Sequence, residues 1–148
     1  MMIKFAQLTS DDLNRLGIAT LSFSNSSVKA IDATNDEIVG YIVVENTPLR
    51  LPIKADDSNE VKEYKRDFNS HQTFYIKKIS ISQELRYSGN LETMFMNMTG
   101  KLPKASILWC KPSIWDCEGY IRQIEGFENL PYNIDNRILI LLLSAKTF

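Results

Sequence analysis

The chain has few of the residues that mark specialised classes of protein. Its 148 residues include two cysteines, one histidine, six glycines and five prolines. Two thiols cannot build a disulfide framework, and one histidine without other ligand patterns argues against a zinc site. The low glycine and proline content excludes collagenous and low-complexity chains. We therefore expect two free thiols in a reducing cytoplasm and no bound metal.

Net charge and long hydrophobic runs are also scarce. There are 17 basic and 18 acidic residues, giving a formal charge of −1, whereas nucleic-acid binders usually carry a basic excess. The longest apolar run, residues 138–143, is far shorter than the roughly 20 residues that span a bilayer. The first four residues lack the apolar segment of a secretory signal. We expect one cytoplasmic domain over residues 1–148, with neither nucleic acid nor membrane as a partner.

The first half of the chain alternates strand and helix patterns. A strand over residues 3–6 precedes Thr9 and Asp12, whose spacing matches a capping box. We expect a helix of about ten residues after it. Strands over residues 28–31 and 37–45, joined by a turn-forming segment, predict a hairpin. Gly40 inside the second strand predicts a bulge or a close approach of two backbones.

Residues 47–72 differ from the rest because they mix acidic and basic side chains densely. Asp57 and Glu60 predict the cap of a short helix, which would place three apolar residues on one side, namely Val61, Tyr64 and Phe68. Two interpretations stay open for this charged insert. It is either a solvated helix over the sheet or a segment on the substrate side, where binding residues concentrate.

The second half carries three strand patterns and two helix patterns. The strands cover residues 74–82, 105–110 and 137–145, and the helices begin near Leu91 and Ser113. The order is β–α–β–β–(insert)–β–α–β–α–β, with a further strand near Phe127. It predicts an α/β (α+β) fold with a mixed sheet, helices on both faces and parallel pairing in the latter half. We expect the apolar last strand to be buried or to pair across subunits.

A short loop containing Gly89 joins the strand over residues 74–82 to the helix that begins near Leu91. A helix N-terminus presents N–H groups without intrahelical partners and the positive end of the helix dipole, which suits a phosphate. Any strand–turn–helix connection has this property. Gly89 therefore serves either a phosphate site or the turn alone.

The same stretch resembles motif A of the GNAT superfamily of N-acetyltransferases, which use acetyl-coenzyme A (acetyl-CoA). Arg86 and Gly89 match its first two fixed positions, and Met94 and Phe95 match the apolar pair of the following helix. Three more segments are similar to the family's opening, strand motif and later helix, namely residues 8–13, 37–41 and 120–127. The resemblance covers nearly the whole chain. It implies a GNAT-like acyl-CoA N-acyltransferase fold, acetyl-CoA as co-substrate, an amine acceptor and a possible homodimer.

The resemblance also implies which residues contact the cofactor. They lie at the end of the strand and in the loop, namely Ile79, Ile81, Arg86, Tyr87, Ser88, Gly89, Asn90 and Leu91. We expect a strand N–H near Ile81 to donate to the thioester oxygen, and Arg86 to contact a phosphate. Leu91 stands where the family has glycine or alanine, so it is predicted to crowd the pyrophosphate.

Acetyl transfer needs a neutral amine, and therefore a group that takes its proton. The candidate bases are Glu45 at the end of its strand, Glu84 beside the loop and His71 before a strand. The family often has a glutamate on the strand that here contains Lys77 and Lys78, but this strand has none.

The later helix differs from the family pattern along one stripe. Arg122 stands where the family often has a tyrosine that protonates the departing thiolate, and Trp115 and Glu118 also replace the usual residues. Tyr120, two residues away, is the remaining candidate acid. The sequence therefore predicts an N-acetyltransferase that acts by direct attack of the amine. The alternatives are a catalytically degenerate coenzyme A-binding module or a protein-interaction module on the same fold.

Overall fold

The computed structural model describes residues 2–18, 22–85, 89–111, 124 and 126–143. Over these residues the chain forms a mixed sheet in the order β1-β2-β3-β4-β5-β7-β6. The strands are β1 (Ile3–Gln7), β2 (Val28–Asp32), β3 (Glu37–Glu45), β4 (Thr73–Ile81), β5 (Ile107–Cys110), β6 (Glu128–Asn129) and β7 (Leu139–Leu142). The helices are α1 (Ser10–Arg15), α2 (Asn59–Asn69) and α3 (Asn90–Thr99). The predicted α/β class is confirmed, and the helix predicted from Ser113 lies outside the described residues.

Helix α3 covers one face of the sheet. The four apolar residues that the sequence places at helical spacing are all buried, namely Leu91, Met94, Phe95 and Met98. They pack on side chains from the central strands, which include Ile42, Val44, Ile76 and Ile79. This layer is the largest core cluster of the described residues, and its buried members join α3 to four strands, β2, β3, β4 and β5.

Helices α1 and α2 cover the opposite face. Leu13 of α1 packs against Tyr41 and Val43 of β3. Phe68 of α2 packs against Trp109 of β5. Helices therefore lie on both faces, as the sequence predicts, and the charged insert is an ordered layer over the second half of the sheet.

The capping box of α1 is present as predicted. The Thr9 hydroxyl accepts from the Asp12 N–H at 3.2 Å, and the Asp12 carboxylate accepts from the Thr9 N–H at 2.8 Å. Asp12 also pairs with Lys29 of β2 at 2.7 Å. The helix is shorter than expected because Gly17 takes a left-handed backbone with φ +74°, which ends a helix.

Both roles predicted for Gly40 are found. The β2–β3 register slips between Ala30 and Ile31, which leaves Val39 beside Gly40 as an extra residue. A Cβ on Gly40 would lie 3.1 Å from the carbonyl oxygen of Ser80 in β4. The glycine therefore allows β3 and β4 to approach closely.

The predicted cap of α2 is wrong by one residue. Ser58, and not Asp57, is the N-cap, and its hydroxyl accepts from the Val61 N–H at 3.2 Å. The Asp57 carboxylate instead binds the Lys65 ammonium at 2.7 Å. Asp57 therefore lies beside the ammonium of the buried Lys65 and does not cap the helix.

The prediction of parallel pairing holds for β4 and β5 but is wrong for β7. The chain first forms β6 at the edge of the sheet and then turns back, so β7 lies between β5 and β6 and is antiparallel to both. The expected burial of β7 is also wrong, because Leu142 is 58% exposed beside a two-residue edge strand. The strand starts late since Arg137 and Asp135 form a turn.

Candidate active site

Strand β4 has a partner on both sides only along its first three residues. Its pairing with β3 continues to Ile81, whereas its pairing with β5 covers only Thr73, Phe74 and Tyr75. From Ile76 onward, none of the described strands pairs with the β5 side of β4. Because β5 ends at Cys110, this side of β4 is an edge without a strand partner among the described residues, and we refer to the region beside this edge as the cleft.

The pairing of β4 with β5 ends near an irregularity in β4. Val43 of β3 faces Lys78 and Val44 faces Ile76, so Lys77 is an extra residue in β4. Such a bulge bends the strand and increases its local twist. The bulge lies close to the last β4–β5 pair, Tyr75 with Trp109, so the irregularity coincides with the place where the pairing of the two strands ends.

The N–H groups of Ile79 and Ile81 point into this cleft. Ser82 donates its N–H to the Val39 carbonyl oxygen of β3 at 2.8 Å. Because successive N–H groups alternate between the two edges of a strand, those of Ile79 and Ile81 point away from β3. Both side chains are buried beneath α3. These two residues therefore present backbone donors, and not side chains, to the open edge.

A short 3₁₀ turn, Gln83–Leu85, leads from β4 towards the N-terminus of α3. Gly89 is the N-cap with φ +79°, and no side-chain cap is found there among the described residues. No atom of the described residues lies within 4 Å of a Cβ built on Gly89. The left-handed backbone explains the glycine, and the positive end of the helix that it begins suits an anion.

The structure describes only part of the predicted cofactor loop. Arg86, Tyr87 and Ser88 lie outside the described residues, and Asn90 is the first residue of α3. The Leu91 side chain is fully buried in the core. The side chain points towards the sheet and leaves its backbone at the helix N-terminus, which argues against the predicted crowding of a pyrophosphate by Leu91.

Glu45 ends β3 beside the bulge of β4. Lys77 donates to the Glu45 carboxylate at 2.5 Å and to the Ser22 hydroxyl at 3.3 Å. The Glu45 side chain is 29% exposed and the Lys77 side chain is 26% exposed. The hydrogen bond from Lys77 lowers the pKa of Glu45 below its ordinary value, so Glu45 is a carboxylate at neutral pH.

An aromatic pair lies next to this ion pair. Glu45 is the cross-strand partner of Tyr75, so their side chains share one face of the sheet. The rings of Tyr75 and Trp109 lie with centroids 4.4 Å apart and planes at 33°. The Trp109 indole N–H donates to the Thr47 carbonyl oxygen at 3.1 Å. The charged pair therefore lies beside a rigid aromatic surface where β4 and β5 are still joined.

Glu84 lies far from Glu45. It is exposed on the 3₁₀ turn, beyond Ile81, whereas Glu45 is opposite Tyr75 near the other end of β4. At about 3.3 Å per residue, Ile81, which precedes Glu84, lies roughly 20 Å along the strand from Tyr75, which is opposite Glu45. The structure thus places Glu84 at the cofactor-loop end and Glu45 at the start of the cleft.

Of the other two candidates for proton transfer, only His71 lies among the described residues, and it is held away from this region. His71 precedes β4, and its Nδ1 donates to the Asp67 carbonyl oxygen at 2.8 Å. The imidazole is therefore held at the end of α2. Tyr120 lies outside the described residues.

Sequence reasoning missed Lys77 as the partner of Glu45, although the pattern contains a signal. Apolar residues occupy positions 74 and 76 and then 79 and 81 of β4. The two-residue period of a strand is therefore shifted by one residue across Lys77 and Lys78. That shift is typical of a bulge, and it places Lys77 on the same face as Tyr75.

None of the described residues forms a group of three or more histidine, cysteine, aspartate or glutamate side chains that could hold a metal ion. The helices of the described segments include none long and apolar enough to cross a membrane. Cys110 is buried in the core. Cys117 lies outside the described residues.

No protein-family profile matches the sequence, and no curated protein is significantly similar to it. Solved structures of acetyltransferases are similar in fold. A GNAT superfamily phosphinothricin acetyltransferase from Sinorhizobium meliloti, in complex with acetyl-CoA, is 13% identical with a TM-score of 0.57 and covers 99% of this chain and 91% of its own. NAA60 from Arabidopsis thaliana, in complex with acetyl-CoA, is 11% identical with a TM-score of 0.55 and covers 96% of this chain and 100% of its own.

A third structure contains an acceptor substrate together with coenzyme A. Diaminobutyrate acetyltransferase from Paenibacillus lautus, in complex with L-2,4-diaminobutyric acid and coenzyme A, is 11% identical with a TM-score of 0.52. The match covers 99% of this chain and 98% of that chain. At these identities the likeness establishes the architecture. The open edge of β4, the bulge and the glycine-capped α3 thus belong to a chain that has the fold of the GNAT superfamily of N-acetyltransferases.

Proposed function

We propose that this protein is an N-acetyltransferase that moves the acetyl group of acetyl-CoA to an amine by direct attack. The observation that carries the proposal is the open edge of β4, where the N–H groups of Ile79 and Ile81 point into the cleft. This edge leads to the N-terminus of α3 at Gly89. Structures with the same fold are in complex with acetyl-CoA or coenzyme A.

The two halves of this surface suit the two ends of acetyl-CoA. The α3 N-terminus, with no side-chain cap at Gly89, offers backbone donors and a positive dipole to the pyrophosphate. The unpaired edge of β4 offers peptide groups to the pantetheine arm, in the way that a sheet edge binds an added strand. Ile79, Ile81 and Asn90 take part through their backbones, as does Leu91. Arg86, Tyr87 and Ser88 remain proposed contacts from the loop.

The oxyanion donor follows from the direction of the strand N–H groups. When an amine attacks the thioester carbonyl, its oxygen gains negative charge, and a fixed donor stabilises that charge. The N–H groups of Ile79 and Ile81 are fixed because β4 is paired with β3 on its other side. One of them is the donor that we propose.

We assign the role of proton acceptor to Glu45. It lies on β3 beside the bulge, where the cleft begins, and its lowered pKa keeps it ionised. The carboxylate would remove a proton from the incoming ammonium directly or through water. Glu84 is too far along β4 to act with it, so we place Glu84 at the cofactor end. Tyr120 remains the proposed acid for the departing thiolate.

A second candidate function is a coenzyme A-binding module without catalysis. The Glu45–Lys77 ion pair favours it, because a carboxylate whose pKa is lowered by a partner is a weak proton acceptor. The fold and the open edge of β4 would serve binding equally well. The two functions therefore differ in turnover and not in affinity for the cofactor.

Two measurements on the full chain separate these functions. Isothermal titration calorimetry measures binding of acetyl-CoA, and a thiol-release assay measures turnover over a panel of small amines, amino acids and peptide N-termini. We expect saturable binding together with thiol release for at least one class of amine. Binding without release on any amine would establish the binding module, and an absence of binding would contradict both functions.

A further inference from the structure

A second cleft lies between the charged insert and the connection from β6 to β7. Its volume is about 430 Å³, which is within the range of small-molecule sites, roughly 300–1,000 Å³. It is lined by residues between 49 and 65 and between 132 and 138, and by no residue of β4 or α3. It is therefore a different place from the cleft assigned to acetyl transfer.

Contacts across its opening hold the two sides of this insert cleft together. The Tyr132 hydroxyl donates to the Glu60 carboxylate at 3.1 Å. The Tyr132 ring meets Tyr64 of α2 edge-on, with centroids 5.7 Å apart. The cleft is therefore formed by two segments that are in contact.

The wall that Tyr132 provides has an unusual backbone. Tyr132 and Asn133 are consecutive residues without the freedom of glycine, and both take left-handed φ values, 60° and 53°. Such a conformation persists where the surrounding structure imposes it, and it is more frequent at ligand sites than elsewhere. Here it turns the connection towards the insert.

The opposite wall is fixed to α2 by side-chain hydrogen bonds. The Asn69 amide both accepts from the Leu51 N–H and donates to the Leu51 carbonyl oxygen, each at 2.9 Å. The Arg50 guanidinium donates to the Asn69 carbonyl oxygen at 2.5 Å. These bonds hold the start of the insert in one conformation, so the cleft exists before any ligand binds.

The charges that line the cleft are unequal. The carboxylates are Asp57 and Asp135, and both are already engaged. Asp57 accepts from the Lys65 ammonium at 2.7 Å and from the Lys54 N–H at 2.8 Å. Asp135 accepts from the Arg137 guanidinium. The lining contains three cationic side chains, Arg50, Lys54 and Lys65, and only these two carboxylates, so it carries an excess of positive charge.

Lys65 places part of that charge at the base of the cleft. The residue is only 4% exposed, and its ammonium donates to Asp57 and to the Pro52 carbonyl oxygen at 2.9 Å. An ammonium has three donors, so these contacts leave one. At the rim, the pKa of Asp57 is lowered by the hydrogen bond from Lys65 and also by the charge of Lys54, but the Lys54 ammonium forms no direct salt bridge with a carboxylate of the described residues. Both cations can therefore bind one more acceptor.

Both sides of the cleft also contribute apolar side chains. Those of the insert are Leu49, Leu51 and Val61, and those of the β6–β7 connection are Ile134 and Ile138. An inorganic ion would leave this surface in contact with water, whereas a ligand with an apolar body would cover it. At about 30 Å³ per non-hydrogen atom, the volume accommodates roughly a dozen such atoms. We propose that the insert cleft is a binding site for a small organic carboxylate, with its carboxylate on Lys65 and Lys54 and its apolar body on the wall of leucine, valine and isoleucine.

Two sources present this chemistry: a free carboxylic acid and the C-terminus of a peptide with an apolar last residue. Hexanoate is the probe for the first and N-acetyl-leucine for the second. Hexanamide is the neutral control for the charge. Calorimetry at constant ionic strength, with the full chain and without acetyl-CoA, measures each affinity separately from acetyl transfer.

The variants are Lys54→Glu in the cleft and Arg66→Glu as its matched control. Arg66 lies on the exposed side of α2 and does not line the cleft, yet its substitution changes the net charge equally. We expect saturable binding of at least one carboxylate to the wild-type chain. Hexanamide should bind more weakly by roughly ten-fold or more. Lys54→Glu should lose carboxylate affinity by a similar factor, and Arg66→Glu should not. The tighter of the two carboxylates identifies the source. Absence of saturable carboxylate binding, equal binding of hexanamide, or equal losses in the two variants would overturn the proposal.

The location of binding gives a second test that does not depend on a variant. In amide spectra of the wild-type chain, hexanoate or N-acetyl-leucine should shift signals of residues 49–65 and 132–138. Signals of the α3 N-terminus should not move. Shifts confined to α3 would contradict the insert cleft, whereas failure of acetyl transfer alone would leave this result unchanged.

Discussion

Lys77 and Glu45 form an ion pair across the register slip between β3 and β4, with Nζ and Oε2 2.5 Å apart. The extra residue of the β4 bulge is thus also the residue that lowers the pKa of Glu45. One local irregularity lies where the β4–β5 pairing ends and sets the charge state of the carboxylate beside it. The shape and the electrostatics of this site therefore change together when Lys77 is changed.

Replacing Lys77 by methionine should change the pH dependence of acetyl transfer. Loss of the ammonium removes the hydrogen bond that lowers the pKa of Glu45, so the carboxylate becomes protonated at a higher pH. If Glu45 takes the proton, the acidic limb of the kcat/KM profile should move to higher pH. The measurement is kcat/KM from about pH 3 to about pH 8, a range that extends below the ordinary glutamate pKa of about 4.3, with binding of acetyl-CoA as a check on the fold.

Lys78→Met is the matched control for this change, because Lys78 is the next residue of β4 and is partly exposed like Lys77. Its profile should keep the wild-type acidic limb. An acidic limb that stays in place in Lys77→Met as well would show that Glu45 is not the proton acceptor.

Gly89→Val should weaken acetyl-CoA binding much more than Gly17→Val. Both glycines take left-handed backbones, φ +79° and +74°, and no described residue has an atom within 4 Å of a Cβ added to either of them. The backbone strain is therefore similar, on the order of 1–2 kcal/mol. Only Gly89 lies at the proposed pyrophosphate site.

Calorimetry with acetyl-CoA and thermal unfolding of both glycine variants give the comparison. We expect similar decreases in Tm and an affinity loss of roughly ten-fold or more in Gly89→Val alone. If the two variants bind acetyl-CoA equally well, Gly89 serves only the turn.

Leu91→Ala should lower stability without tightening cofactor binding. The side chain is fully buried in the core, and such truncations cost about 2–5 kcal/mol through lost burial and a residual cavity. Because the side chain does not lie at the helix N-terminus, its removal gives a phosphate no additional room. Urea unfolding and acetyl-CoA titration test the two halves of this prediction, and tighter binding in the variant would mean that Leu91 does crowd the site.

Asp12→Asn should destabilise the protein by about 1–3 kcal/mol at neutral pH. Burial alone would raise the pKa of Asp12, but its bonds with Lys29 and Thr9 outweigh this effect and lower the pKa. The asparagine keeps an acceptor for the Thr9 N–H but leaves Lys29, only 16% exposed, without its counter-charge. Asp11→Asn, on the exposed side of the same turn, is the charge-matched control.

The pH dependence of the Asp12 effect has a definite sign. A carboxyl group whose folded pKa is lowered stabilises the fold above its unfolded pKa of about 3.9 and loses that contribution as pH falls through the folded value. The stability difference between wild type and Asp12→Asn should therefore shrink below about pH 4. A difference that stays constant down to pH 2 would show that the charge of Asp12 is not its cause.

Local features were predictable from the sequence because neighbouring residues determine them. The capping box of Thr9 and Asp12 was found as predicted, and so was the buried face of α3. The role of Gly40 was predictable as well, since a glycine inside a β-branched strand often marks a bulge or a close approach of two backbones.

Features that depend on which strands become neighbours were not predictable. The apolar pattern of β7 is compatible with a central, buried strand, yet β7 lies one place from the edge and Leu142 is exposed. The Glu45–Lys77 pair joins residues that the whole insert separates in sequence, and it requires the register of β3 on β4. Asp57 matched a helix cap in the sequence, but in the structure it forms an ion pair with the buried Lys65, which needs a counter-charge.

The most direct test of the central claim is an amide spectrum of the chain, labelled with ¹⁵N, titrated with acetyl-CoA. The account predicts that the N–H signals of Ile79 and Ile81 shift strongly, with those at the start of α3, while Ser80, whose N–H points to β3, shifts less. Shifts that leave Ile79 and Ile81 unchanged while acetyl-CoA binds would contradict the proposed role of the open edge of β4.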